Sequence, residues 1–268
     1  MSQEISGVLG AITAAARRAA DVRERSGGQA VEAAAATCHP RGAEFRARLQ
    51  SPRVCVIAEC KRRSPSRGIL RDPYAPASIA HGYAAAGAAA ISVITENTFF
   101  DGSLEHLSEV RQRVEIPVLR KDFISTPFQI LEARAAGADA ILLIVAALDR
   151  ASLNALLTEA TRQGLAALVE VHSIPEVADA LAAGATLIGV NSRNLKTLNV
   201  DVRVFDEVRR EIPDGVVAVA ESGLRSAEDV RRLRASGYDA FLIGEHFMTA
   251  PDPGQALAAL IAASEGVA

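Results

Sequence analysis

Glu59 and Lys61 stand where a short apolar run, Val54 to Ala58, stops, and Arg62, Arg63 and a Ser64-Pro65-Ser66 turn follow them. A carboxylate and an ammonium group closing a segment short enough for a buried strand aim acid-base chemistry at one rim of a sheet. The pattern recurs along the chain. Lys121 and Asp122 follow one apolar run, Glu170 another, Asn191 and Arg193 a third, and Glu221-Ser222-Gly223 a fourth. A core strand has no structural need to end in a charge, since one unpaired buried charge costs on the order of several kcal/mol. For any single position the plain alternative is a rim salt bridge. Five strands ending alike favour a common mouth where opposite charges pair with each other and with a substrate.

Lysine usage sharpens this reading. Lys61, Lys121 and Lys196 are the only lysines among 29 basic residues, and two of them close predicted strands. A guanidinium keeps its proton at ordinary pH, whereas a desolvated ammonium can give one up. Chance placement of three residues is the bland counterpart. Two lysines beside three glutamates form an acid-base set whose pKa values mutual charge must shift, suited to moving protons on a carbonyl or imine. His172 could share the Glu170 rim but reads better as a surface histidine at a helix start. His39, His81, His106 and His246 lack paired metal-ligand spacing, so neither a metal nor a cofactor is expected.

Glycines in Ser222-Gly223 and Gly244-Glu245 fall after the last two predicted strands, where backbone amides and a following helix start can cradle a phosphate. Elsewhere such glycines are only turns. Ser64 and Ser66, beside Arg62, Arg63 and Arg67, have the composition of a mobile lid that folds onto the same phosphate.

The elements that must hold these groups alternate. The pattern predicts strands at Val54–Glu59, Ala90–Ile94, Pro117–Lys121, Asp139–Ile144, Ala166–Glu170, Leu187–Asn191, Val217–Glu221 and Asp239–Ile243. Amphipathic segments between them predict helices near 76–86, 104–113, 126–136, 150–163, 174–183, 202–210, 227–236 and 253–263. Continuous apolar strands alternating with helices imply a parallel sheet covered by helices, and eight units close most naturally into an α/β fold, the (β/α)8 TIM barrel. AAGAAAISV, AAGADAILL, AAGATLIGV and ASGYDAFLI echo one another around Gly87, Gly137, Gly184 and Gly237. Successive echoes lie about fifty residues apart, or two strand-helix units in places, as repeated assembly requires. A doubly wound open sheet shares the local pattern, but no Gly-x-Gly-x-x-Gly follows the first strand. Residues 1–50 predict a helix from Ile5, Val8, Leu9 and Ile12 to Arg25, a break at Ser26-Gly27-Gly28, and a second short helix over 42–49. They read as a helical extension packed on a single barrel domain spanning 1–268.

With 268 residues, 49% hydrophobic and 23% charged, the chain has the balance of a globular protein with a sizeable core. A net charge of -3 gives no broad basic field, so nucleic acid is not an expected partner, though a local cationic pocket for a small anion fits. Charges near the start and the lack of a long apolar run predict a cytoplasmic chain without a secretory leader or membrane contact. Three cysteines without Cys-x-x-Cys spacing argue against a disulfide framework, and Cys55 reads as a small buried apolar residue.

IAECKRRSPSRG, AGAAAISVITENTFFDGS, PVLRKDF, GADAILLIVAAL, LVEVH, IGVNSRNL, ESGL and LIGEHFM, in this order and spacing, resemble the indole-3-glycerol phosphate synthase family of tryptophan biosynthesis from about Val54 to Met248. The resemblance implies a carboxy-lyase that closes the ring of 1-(2-carboxyphenylamino)-1-deoxyribulose 5-phosphate with loss of carbon dioxide and water. It implies that Lys121 matches the general acid activating the substrate carbonyl, Glu170 the base of the dehydration, and Lys61 the lysine facing the substrate carboxylate and able to donate a proton. The division of proton transfers between the two lysines stays open. Glu59, Asn191 and Glu221 match orienting and hydrogen-bonding residues. Arg193, Ser222, Gly223, Gly244, Glu245 and Ser64 match substrate or phosphate contacts, and Phe100, Phe123 and Leu142 an apolar slot for the aromatic ring. The implied partner is a small phosphorylated substrate, with the chain a monomer or weak homo-oligomer. Cys60 and His246 depart from the family pattern outside the proton-transfer roles.

The chemistry fits the residues independently: cyclisation needs a proton on a carbonyl oxygen, a site for the departing carboxylate, and a base. A phosphate-binding barrel isomerase acting on the preceding phosphoribosyl intermediate would call for a Cys/Asp pair. A barrel without catalysis, serving as a scaffold, would have lost a donor or base, and Lys61, Lys121, Glu170 and Asn191 are all present.

Overall fold

The computed structural model describes residues 7–194 and 199–266; Ile5, Lys196 and the Val8 side chain lie outside the described residues. Two helices, α1 (Gly7–Thr37) and α2 (Gly42–Arg48), precede β1 (Cys55–Cys60). A hairpin of β2 (Arg63–Ser64) and β3 (Gly68–Ile69) follows, then α3 (Pro76–Ala85), β4 (Ala90–Ile94), α4 (Asn97–Phe100) and α5 (Leu104–Arg113). Next come β5 (Val118–Lys121), α6 (Pro127–Ala135), β6 (Ala140–Ile144), α7 (Arg150–Arg162), β7 (Ala166–Val171) and α8 (Ile174–Ala182). The chain ends through β8 (Leu187–Asn191), α9 (Val204–Arg209), β9 (Val217–Glu221), α10 (Ala227–Ala235), β10 (Ala240–Ile243), α11 (Glu245–Met248) and α12 (Pro253–Glu265).

Among the described residues eight parallel strands close a barrel in the order β1-β10-β9-β8-β7-β6-β5-β4, with β4 returning to β1. This is the TIM barrel that the alternation predicts, and the open-sheet alternative falls. The two-residue period of each strand divides its side chains between two cores. Ile57, Leu119, Leu142, Leu168, Val219 and Leu242 fill the barrel interior. Val56, Ala58, Cys60, Ile91, Val93 and Ile188 face the helices. Cys60 is thus a buried packing residue on the helix side and takes no part in the mouth.

Four predicted strands begin one residue later than expected, at Cys55, Val118, Ala140 and Ala240. At two of them an aspartate precedes the strand. Asp139 accepts the Val118 and Arg41 backbone N–H groups at 2.9 and 2.8 Å on its side chain, and Asp239 accepts that of Ala218 at 2.8 Å, so each closes the sheet bottom while its own N–H still donates to the neighbouring strand. Several helices begin on side-chain caps, including a reciprocal pair between Thr126 and Gln129 at α6 and another between Ser226 and Asp229 at α10. The echoed glycine at position 137 has φ 91°, the left-handed conformation that turns α6 into β6.

The predicted break at Ser26-Gly27-Gly28 is wrong: α1 runs unbroken through it. Each glycine costs about 1 kcal/mol relative to alanine in a helix, but Ala-rich turns flank both. Ser26 Oγ donates back to the Val22 and Arg23 carbonyls. Tertiary contacts hold the helix on either side of the glycines. Arg23 pairs with Glu132 of α6 through Nε at 2.5 Å and Nη2 at 2.9 Å, and Arg134 donates to the Cys38 carbonyl at 2.9 Å. Among the described residues no helix is long and apolar enough to cross a membrane.

A Cβ at Gly27 would meet nothing within 4 Å. Gly27→Ala is therefore expected to raise unfolding stability in urea by about 0.5–1 kcal/mol, and a loss would mean that α1 bends there.

Candidate active site

The carboxyl ends of the strands surround a cavity of about 350 Å³. Strand alternation puts Glu59, Lys121, Glu170, Asn191 and Glu221 on the inward face at the last inward position of their strands, with Lys61 just beyond β1. Lys121 Nζ lies 3.5 Å from both Glu170 Oε2 and Glu221 Oε2. Across the cavity Lys61 Nζ lies 2.9 Å from Glu59 Oε1, while Ser92 Oγ donates to Glu59 Oε2 at 3.3 Å. Space for these carboxylates comes from glycines on neighbouring strands. A Cβ at Gly189 would stand 1.9 Å from Glu221 Oε1, and one at Gly244 would stand 2.6 Å from Glu59 Oε1.

Burial would lower the Lys121 pKa, but the charges of Glu170, Glu221 and Glu59 outweigh it and hold the ammonium above its usual range. The expectation of a proton loosened by desolvation is corrected accordingly: the surrounding acidic groups keep Lys121 charged. Burial pushes Glu221 up to about 8 against the pull of Lys121, helped by the charges of Glu170 and Glu59. Glu221 Oε2 faces Lys121 Nζ at 3.5 Å, and its carboxyl group lies against that of Glu170. Burial pushes Glu170 the same way, but Lys121 and then His172 overcome it, and Glu170 falls below the usual carboxylate range. Glu59 is likewise low, because Lys61 and Lys121 overcome its burial. Near neutrality the set is an ammonium acid, ionised Glu59 and Glu170, and a protonated Glu221.

Phe100 and Phe123, with ring centroids 6.3 Å apart, stand over Leu142 and Ile144 and make one wall apolar. On another side Ser222 and Gly223 both take left-handed φ, 69° and 75°, and Gly244 precedes α11. Arg193 Nη2 lies 3.6 Å from Glu245 Oε2 and Arg67 Nη1 3.5 Å from Glu245 Oε1, while Arg193 Nη1 donates to Ser66 Oγ at 3.4 Å. These contacts tie the β2-β3 hairpin across the mouth. Among the described residues no group of three or more His, Cys, Asp or Glu side chains is arranged to hold a metal ion.

The sequence profile described as indole-3-glycerol phosphate synthase matches residues 11–260. An indole-3-glycerol phosphate synthase of Parafrankia sp. is 54% identical over 215 residues, covering 80% of both chains. That of Mycobacteroides abscessus is 46% identical over 256 residues, covering 96% of this chain and 94% of its own. Indole-3-glycerol phosphate synthase 2 of Streptomyces coelicolor is 47% identical over 259 residues, covering 96% and 100%. The chain belongs to the indole-3-glycerol phosphate synthase family. Members of this family are carboxy-lyases of tryptophan biosynthesis, and the chain is an enzyme of that class. A thiamine phosphate pyrophosphorylase from Pyrococcus furiosus superimposes with a TM-score of 0.61 at 17% identity, over 82% of this chain and 98% of its own, a likeness of fold alone.

Within this family member, all but one of the residues matched to the family's catalytic and substrate-contact positions line the main cavity: Glu59, Lys61, Phe100, Lys121, Phe123, Leu142, Glu170, Asn191, Arg193, Glu221, Ser222, Gly223, Gly244 and Glu245. The exception is Ser64. It is 6% exposed, its Oγ has no partner among the described residues, and it lines an adjoining cavity of about 80 Å³ roofed by Leu9 and Ile12 of α1. Arg62 and Arg63 are drawn to Asp101 at 2.7 and 3.9 Å, away from the glycine loops. Asp122 borders the cavity, but its oxygens are held by Thr95, Arg120 and the Phe123 amide. His246 lines the cavity with its ring edge-on to Phe247.

Two residues escape the sequence reading, and a third, His172, which its spacing allows at the Glu170 rim, reads there as a surface histidine. His172 is no surface histidine: its side chain is 13% exposed and Nε2 lies 3.5 Å from Glu170 Oε1. Its spacing of two from Glu170 was the available signal. Glu96 lines the cavity and accepts the Thr98, Phe99 and Phe100 amides at 2.8–3.1 Å, fixing Phe100 through α4. Arg120, 1% exposed on the helix side of β5, pairs with Asp122 at 2.9 Å and Glu132 at 3.5 Å and braces the strand that carries Lys121.

A carboxyl group raised from 4.5 to about 8 favours the folded state as the acid, so its contribution is full below pH 4.5 and declines as pH rises to about 8. Glu221→Gln is expected to flatten this decline, making the variant progressively more stable than the parent between pH 5 and 8 in urea titrations. Parallel pH profiles would refute the protonated Glu221.

Proposed function

We propose that this chain closes the five-membered ring of 1-(2-carboxyphenylamino)-1-deoxyribulose 5-phosphate, releasing carbon dioxide and water to give indole-3-glycerol phosphate. The observation that carries this reading is the Lys121 ammonium, 3.5 Å from each of two carboxyl groups of opposite protonation tendency at the floor of the mouth. As the aromatic carbon attacks the ketone, negative charge gathers on the carbonyl oxygen, and an ammonium held charged by its surroundings supplies the proton there. The ring then carries its carboxylate on a tetrahedral carbon, and departure of carbon dioxide returns the electron pair to the ring. Lys61, paired with Glu59, provides the cation that holds that carboxylate. Loss of the new hydroxyl as water needs a proton on that oxygen, which an ammonium of the site supplies, and a base for the proton on the adjacent carbon. Glu170, kept ionised by Lys121 and His172, fills the second role, and the proton it takes up can return to Lys121 3.5 Å away.

Asn191 and Glu221 orient this centre. Asn191 hydrogen-bonds Glu170 and takes the Arg193 amide on its Oδ1 at 2.9 Å, which fixes its rotamer. Phe100, Phe123 and Leu142 receive the aromatic ring. The phosphate falls to the Ser222-Gly223 and Gly244 amides and to Arg193. Glu245 repels an anion through its carboxylate, so its part there is to hold Arg67 and Arg193 beside the glycine loops. Ser64 supports the slot from the adjoining cavity. The helical extension belongs to the working unit, since Leu9 and Ile12 roof that cavity.

Lys121→Ala is expected to lower kcat by about a thousandfold or more while leaving far-UV circular dichroism unchanged, read by the indole fluorescence that appears when purified protein meets the carboxyphenylamino substrate. Undiminished fluorescence gain from the variant would remove the assignment.

A further inference from the structure

Glu245 carries the wrong charge for the phosphate cradle that it borders. It follows Gly244 at the start of α11, and its side chain is 25% exposed. Oε1 lies 3.5 Å from Arg67 Nη1 in the β2-β3 hairpin, and Oε2 lies 3.6 Å from Arg193 Nη2 just beyond β8. One carboxylate thus bridges two guanidinium groups, and all three side chains line the same cavity as Ser222, Gly223 and Gly244. Arg193 has other anchors. Its Nη1 donates to Ser66 Oγ at 3.4 Å and its backbone N–H donates to Asn191 Oδ1 at 2.9 Å, so its place beside the glycine loops does not depend on Glu245 alone. Both contacts of Glu245 are long. A guanidinium grips an anion at about 2.7–2.9 Å, often through two parallel hydrogen bonds, and a partly exposed pair without that geometry contributes little. A phosphate ester near neutral pH brings about two negative charges and three acceptor oxygens, where a carboxylate brings one charge and two oxygens.

We propose, resting on the reading that places the phosphate at these arginines and the glycine amides, that Glu245 is an internal stand-in for that phosphate. In the empty site it occupies Arg67 and Arg193, and it gives way when the phosphate arrives. The exchange runs toward the ligand because the phosphate has the greater charge and the geometry to bind a guanidinium at close range. The displaced carboxylate does not leave, since the backbone tethers it beside Gly244, and from there it repels the bound dianion. Glu245 therefore lowers the affinity of the mouth for each ligand that carries the phosphate, substrate and product alike. An effect felt equally by all bound states raises KM and speeds product release without touching the proton transfers at Lys121 and Glu170.

Inorganic phosphate is the probe, titrated into the purified full chain with sodium chloride holding the ionic strength constant, and the rise in Tm is the readout. Glu245→Gln keeps the size of the side chain and removes its charge. It is expected to bind inorganic phosphate about tenfold more tightly than the parent, an advantage that shrinks as salt screens the repulsion. Glu245→Asp keeps the charge and is expected to stay within about threefold of the parent. Glu245→Ala carries the same expectation as Glu245→Gln if the latter does not fold. With the carboxyphenylamino substrate, Glu245→Gln is expected to lower KM by a similar factor with no rise in kcat. Equal or weaker phosphate binding by Glu245→Gln overturns the stand-in, and so does an aspartate variant that binds as tightly as the glutamine one. Arg193→Gln is expected to lose the Tm rise. A rise that persists there, or none in the parent and Glu245→Gln alike, overturns the phosphate placement and the stand-in with it. The Tm measurements need no turnover, so they decide on Glu245 even where the ring-closure reading fails.

Discussion

The Lys121 ammonium is the constraint on which the mouth of this barrel depends. Three buried carboxyl groups, from β1, β7 and β9, converge at the floor of the mouth, and three anions there would repel one another strongly. The arrangement is tolerable because Lys121 stands 3.5 Å from two of them, Lys61 pairs with the third, and Glu221 keeps its proton. Two cations, two anions and one acid leave the centre near neutral. The same balance leaves a charged ammonium beside an ionised carboxylate, the pair that the proposed ring closure and dehydration would use as acid and base.

Neighbouring residues of one strand meet opposite fates, and the pleat decides which. Lys121 points into the barrel, while Arg120 points to the helices and is buried among Thr95, Asp122, Glu132 and the Gln129 carbonyl. Arg23 of α1 reaches the same Glu132 from outside. An ionic chain thus runs from the N-terminal helix through α6 to the strand carrying the central lysine. Buried ion pairs are weak contributors to net stability but costly to break, so this chain fixes where β5 sits more than it strengthens the fold.

The sequence made the barrel legible because its strands are buried on both faces, which leaves short unbroken apolar runs, and because a strand ending in charge is an anomaly that only a shared mouth resolves. Five charged ends could therefore be gathered before any coordinates. What stayed hidden depended on contacts remote in the chain. The continuity of α1 through Gly27 and Gly28 comes from Glu132 and Arg134 on α6, and local propensity cannot see either. Arg120 looked like one arginine among many until the pleat put it inside. His172 carried the right spacing, yet a histidine ahead of a helix reads as solvent-facing unless Glu170 and Glu176 are known to bracket it.

Glu221 separates what the fold needs from what the site needs. Its carboxyl group lies against Gly189, a position where any Cβ would collide with it, and it is buried between Lys121 and Glu170. A chain shaped for stability alone would place an amide or an apolar residue there and give position 189 a side chain. Keeping the glycine admits a carboxyl group beside Glu170, and low dielectric then prevents both from ionising together. The pair therefore holds one proton, and the Lys121 ammonium facing both oxygens biases which member stays ionised. The glycine on β8, the protonated carboxyl group on β9 and the ionised one on β7 depend on one another, and each of them alone would be a defect in a barrel core.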